Sequence, residues 1–153
     1  MTDVTPKKYV YVTYIKTSPE KLWEALTNPA FIRQYWFSMY QDSTWQTGAP
    51  WSMHFSDGRV ADAGSVLEAD PPHRLVLKWR NEFKPELTAD GFSTCTYTIE
   101  PGDDAVKLTI THEAAQAGSK LIGAVSNGWP RVLANLKSWL ETGAVIMSNS
   151  GQH

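Results

Sequence analysis

The stretch from Lys120 to Gly143 constrains this chain most. Its apolar residues Leu121, Ile122, Val125, Trp129, Val132, Leu133, Leu136 and Leu140 recur every three or four positions, leaving Lys120, Asn127, Arg131, Asn135, Ser138 and Glu141 for the other side. This is one long amphipathic helix with one apolar stripe. Gly143 follows its last turn, where a left-handed residue satisfies loose carbonyls. Pro130 lies inside the pattern and predicts a kink or a second helix start after Asn127 and Gly128. A helix with one greasy stripe needs a partner surface, and the residues between Lys8 and His112 read as that surface.

Lys8 to Lys16 is almost wholly β-branched or aromatic and predicts a strand with both faces covered. Ser18-Pro19-Glu20 then carries a hydroxyl cap, a proline suited to the first turn and an acid for the helix dipole, and Asn28-Pro29 repeats the signal. Two short helices therefore follow, the second running to about Tyr35. Thr44 to Gln46 predicts a weak strand and Trp51 to Phe55 a stronger one, with a turn at Asp57-Gly58 before a strand from Val60 to Ala69 in which Gly64 marks a bulge or bend. Leu75, Leu77 and Trp79 alternate with charged residues, so one face of that strand is inside. Lys84 to Asp90 reads as a polar loop. Ser93, Cys95, Tyr97 and Ile99 share one face of the next strand, and Val106, Leu108, Ile110 and His112 face inward on the last.

The expected architecture is α+β: a curved antiparallel sheet of six or seven strands wrapped on the long C-terminal helix, with two short helices after the first strand. The 153 residues suit one domain, expected over 8–143 with flexible termini at 1–7 and 144–153. A net charge of -2 offers no field for nucleic acid or an anionic membrane. No apolar run approaches the ~20 residues of a membrane span, and the N-terminus lacks an export pattern, so a cytoplasmic protein is expected. The lone Cys95 excludes an internal disulfide. His54, His73, His112, His153 and Cys95 show no metal-ligand spacing, and no phosphate-binding or nucleophile-elbow motif occurs, so neither metal nor cofactor is expected.

Four strings, SPEKLWEALTNPAFIRQYW, GSVLEADPPHRLVLKW, VKLTITHE and NGWPRVLANLKSWLETG, cover nearly the whole of 8–143. Together they resemble the family named for the activator of the heat-shock protein 90 ATPase, within the SRPBCC, START-like superfamily that shares the birch-pollen-allergen helix-grip fold. The resemblance implies a shell around a cavity. It brings no catalytic triad and no metal motif. Chaperone contact is implied by the resemblance alone. Many relatives carry a Gly-Gly pair where this chain has Gly48-Ala49-Pro50, which alters a strand edge near the cavity mouth.

The leading expectation is that a small hydrophobic or aromatic molecule binds between sheet and helix, the protein being a monomer or weak homodimer. Rings that share inward faces mark the walls: Trp36, Trp51, Met53, Phe55, Leu77, Trp79, Cys95, Tyr97, His112, Val125, Trp129 and Leu133 are the candidate ligand-binding residues. Tyr97 and His112 form the expected polar anchor. The alternatives are an enzyme of the cyclase or related type, with His112 as candidate proton carrier, and a co-chaperone-like interaction module. Paired inward-facing carboxylates are not evident in any strand.

Overall fold

A computed structural model describes residues 7–115 and 118–147. The chain begins with strand β1 (Lys8–Ile15) and two short helices, α1 (Pro19–Thr27) and α2 (Pro29–Tyr35). Four strands follow, β2 (Tyr40–Asp42), β3 (Pro50–His54), β4 (Val60–Asp70) and β5 (Arg74–Asn81). A one-turn helix α3 (Pro85–Thr88), strands β6 (Ser93–Glu100) and β7 (Val106–Ala114), and the long helix α4 (Lys120–Thr142) complete it. The seven strands form one antiparallel sheet in the order β1-β7-β6-β5-β4-β3-β2.

Capping fixes the helix starts as the sequence predicts. Ser18 Oγ accepts from Lys21 N (3.2 Å) and Asn28 Oδ1 from Ala30 N (2.9 Å). Ser119 Oγ caps α4, and Asp90 Oδ2 accepts from Leu121 N (3.0 Å), which places a carboxylate at the positive end of the long helix. Gly143 ends α4 in the left-handed region, φ 85°, and its N–H donates to Trp139 O. Pro130 lies within α4, which continues through it as one element, so no second helix starts there.

Several expectations are corrected. The weak strand lies at Tyr40–Asp42, not at Thr44 to Gln46, because Gln41 is buried and accepts from the Trp51 indole N–H (3.0 Å). The outer face of β1 is not covered: Val10, Val12 and Tyr14 are about half exposed, since the core packs on the opposite face, where Tyr9, Tyr11 and Ile15 lie. The loop Lys84 to Asp90 contains α3, whose Leu87 is buried. Asn135 lies on the buried side of α4, where its amide binds a returning segment. Its Oδ1 accepts from Ile146 N (3.0 Å) and Met147 N (2.8 Å), and its Nδ2 donates to Met147 O (3.1 Å) and Tyr35 O (3.4 Å). Residues 144–147 thus carry hydrogen bonds that their lack of a period did not predict; 1–6 and 148–153 lie outside the described residues.

Cross-strand register sorts the concave face into rows. The first is Gln41, Met53, Asp62, Asn81; the second is Trp51, Gly64, Trp79, Ser93, Ala114. The third is Val66, Leu77, Cys95, His112, Tyr9, and the fourth contains Leu75, Tyr97, Ile110, Tyr11. Gly64 is the pivot of the second row. A Cβ there would lie 1.7 Å from Lys78 O, and with no side chain between them Trp51 and Trp79 meet across the strand at 4.6 Å between ring centroids. Gly64 therefore serves close approach, while the register shifts fall at Met53/His54 and Val66/Glu68.

Candidate functional site

A hollow of about 250 Å3 lies between α4 and the first two rows of the sheet. Its walls are Trp36 and Met39 after α2, Met53 on β3, Asp62 on β4, and Trp79 and Asn81 on β5. Phe83, Lys84 and Leu87 enclose it from the α3 segment, and Leu121, Ala124, Val125, Gly128, Trp129 and Val132 from the helix. The space exceeds the engineered ~150 Å3 cavity that accepts benzene and falls below the ~300 Å3 at which drug-sized sites begin. One or two rings fit.

Of the twelve residues expected at the site, Trp36, Met53, Trp79, Val125 and Trp129 line this hollow. Trp51 stands behind Trp79, its N–H held by Gln41. Phe55 packs edge-on against Phe83 at 4.9 Å, with the Arg59 guanidinium over its ring. Leu77, Cys95 and His112 lie in the third row, Tyr97 in the fourth, and Leu133 is a fully buried core residue of α4; none of these five borders the space.

His112 is fully buried with both ring nitrogens engaged. The Trp129 indole N–H donates to Nδ1 (3.2 Å), and because an indole nitrogen only donates, the imidazole proton sits on Nε2. Nε2–H donates to Ser93 Oγ (2.8 Å), whose hydroxyl donates to Trp79 O (3.1 Å). Burial pushes the His112 pKa down to about 4, so the ring is neutral at ordinary pH. It anchors Trp129 and braces β5 through Ser93. Burial also raises the Cys95 thiol and the Tyr97 phenol, with Cys95 adding to the effect on Tyr97.

Among the lining residues absent from the sequence candidates, the acid is Asp62. It is only 7% exposed, in a wall that is apolar except for Asn81 and Lys84. Burial pushes its pKa up to about 7 against a hydrogen bond from Trp79, Glu82 nearby raises it further, and a hydrogen bond from Asn81 opposes both. Asn81 is oriented for this. Its Oδ1 accepts from Phe83 N (3.1 Å) and Lys84 N (2.9 Å), which leaves Nδ2 to face the carboxyl. The available signal was periodicity: Asp62 falls two residues before Gly64 and four before Val66 on one strand face. Among the described residues no group of three or more His, Cys, Asp or Glu is placed to hold a metal, and no helix is long and apolar enough to cross a membrane.

A seven-stranded antiparallel sheet gripping one long C-terminal helix, with a hollow beneath that helix, defines a helix-grip protein. A sequence profile described as Activator of Hsp90 ATPase homolog 1-like protein matches residues 16–141, and the chain belongs to that family. Among solved structures it is similar to protein MLL2253 from Mesorhizobium loti, at 26% identity and a TM-score of 0.75, over 88% of this chain and 96% of that one. It also resembles DynU16, from the dynemicin biosynthetic locus, at 21% identity and TM-score 0.73, over 92% of this chain and 49% of that one. The third is PFC0360w, an HSP90 activator from Plasmodium falciparum, at 21% identity and TM-score 0.72, over 89% of this chain and 97% of that one. The last two, below 25% identity, share the fold alone. No curated protein matches the chain.

Proposed function

We propose that the protein binds a small, largely apolar molecule of one or two rings in the hollow beneath α4. The observation that carries this reading is the hollow itself. Protein interiors pack densely, and a domain whose third and fourth rows are filled by buried side chains leaves space open where three indoles and a phenyl ring gather. The indoles are also tethered. Trp129 is held by His112, Trp79 packs against Trp51 at 4.6 Å, and Trp36 packs edge-on to Trp129 at 5.3 Å. Such walls are pre-ordered, which lowers the entropy that binding must overcome.

The test uses naphthylmethanol and the indole N–H signals of isotope-labelled protein. Those of Trp36, Trp79 and Trp129 are expected to shift saturably while that of Trp23 stays still. Val125→Phe, which fills the space, is expected to abolish the shift with the fold intact. Unmoved signals in the folded protein would refute the reading. An enzymatic use of the same space has one observation in its favour, the buried Asp62 carboxyl with its proton exchanging near neutrality; the proton carrier would then be Asp62, since His112 has no free nitrogen.

A further inference from the structure

The wall of the hollow is apolar but for Asp62, Asn81 and Lys84. Asp62 and Asn81 sit in register on β4 and β5, both buried and both lining the space. The protein groups that act on the carboxyl as donors, the Trp79 indole and the Asn81 amide, are neutral. No ion pair involves Asp62 among the described residues. The nearest acid, Glu82, is itself committed to Arg80 through two hydrogen bonds (2.6 and 3.2 Å) and adds negative potential. Lys84 contributes to the wall from the α3 segment, where its ammonium lies 5.7 Å from the Phe83 ring centre. A carboxylate so placed lacks a neutralising partner, and buried charge without one is costly.

Around it stand rings. Trp36, Trp79, Trp129 and Phe83 enclose the same space, and aromatic π systems attract cations, most strongly when water is excluded. An aromatic box with a single carboxylate suits one chemistry: a positive nitrogen on a compact apolar body. We propose that the ligand is a small organic amine, its ammonium on the Asp62 carboxylate beside Asn81 and its apolar body between Trp36, Trp129 and Val125. This rests on the hollow being a binding site and adds the charge that it selects. A ligand whose carboxylate took the same place would face the Asp62 carboxylate, with Glu82 adding to the negative potential there, and is disfavoured. A neutral ligand gains the ring contacts and at most a neutral hydrogen bond.

Three probes with one ring system and different head groups decide the matter: naphthylmethylamine, naphthylmethanol and naphthoate, measured by calorimetry and by the indole N–H signals at about pH 8. The amine is expected to bind at least about tenfold more tightly than the alcohol, and naphthoate most weakly, since a desolvated charge pair outweighs a neutral hydrogen bond. Asp62→Asn should bring the amine to within about threefold of the alcohol, because that variant keeps the side-chain shape and removes the charge. The Trp79 indole signal should move most with the amine. Between about pH 6 and pH 8 amine affinity should rise in the wild type and stay flat in Asp62→Asn, as the carboxyl sheds its proton. If the alcohol binds and the amine binds no tighter, or naphthoate binds best, the amine assignment is overturned while the binding site stands. If none of the three moves the indole signals, both fall.

Discussion

Asp62 and His112 are buried groups displaced to opposite sides of their ordinary values, and they should pull on stability in opposite directions. His112 has a pKa of about 4 in the folded protein against 6.5 ordinarily, so between those values the unfolded chain binds the proton and the folded one does not. Its contribution to stability therefore grows as pH rises, is complete above about 6.5, and is lost as pH falls. Asp62, at about 7 against 3.8, holds its proton in the folded state where the unfolded chain has released it, so its contribution is full below the unfolded value and is lost as pH rises through 7. One proton of difference changes stability by about 1.4 kcal/mol per pH unit, and integrating both titrations from about pH 5 to pH 6.5 gives about +1.5 kcal/mol for His112 and nearly -2 kcal/mol for Asp62. The two should nearly cancel.

Urea unfolding followed by tryptophan fluorescence across that window tests the reasoning. The wild type should stay within about 0.5 kcal/mol. Asp62→Asn should gain about 1.5 kcal/mol of stability from the lower to the upper pH, and His112→Gln should lose about 2 kcal/mol. Glutamine can accept from Trp129 and donate to Ser93, so that variant removes the titration and keeps the bonds. Asp57 and Glu141, whose pKa values are lowered by hydrogen bonds from Arg59 and Lys137, titrate below the window and are common to all three proteins. A slope in Asp62→Asn equal to that of the wild type would show that the carboxyl is ionised in the folded protein throughout, and the account of its burial would be wrong.

Two further outcomes concern packing. Gly64→Ala should destabilise by about 3 kcal/mol or more in urea unfolding, because the added carbon meets the backbone carbonyl of Lys78 and neither strand can yield without separating Trp51 from Trp79; a loss within about 0.5 kcal/mol would refute the close approach. Asn135→Ala should cost about 1–3 kcal/mol and speed hydrogen exchange at Ile146 and Met147, whose amides donate to Asn135 Oδ1, while amides in the middle of β6 keep their wild-type protection; unchanged exchange at both tail amides would show that Asn135 does not hold the segment.

Much of this arrangement is written locally. Proline after Ser18 and Asn28, the three-and-four spacing from Leu121 to Leu140 and the terminal Gly143 are signals that a helix carries within itself, and each appears where its chemistry places it. Alternation likewise assigns Leu77, Cys95, Tyr97 and His112 to the inward side, and they are there. Alternation does not say how far along the sheet a residue stands. Asp62 and His112 both face inward, yet one lies in the row beneath the open space and the other two rows away, sealed by Trp129 and Ser93. That separation comes from the register of four strands and from where α4 crosses them, quantities spread over distant parts of the chain. The same holds for α3: Lys84-Pro85-Glu86 shows the proline and the acid of a helix start but no capping hydroxyl, since the side chain that organises this turn is Asn81, on the preceding strand. The residues alone determined a sheet, a long helix and which faces meet. Only their packing decided that the hollow carries a buried aspartate and not the histidine, because burial and neighbours, and not residue type, set where a proton resides.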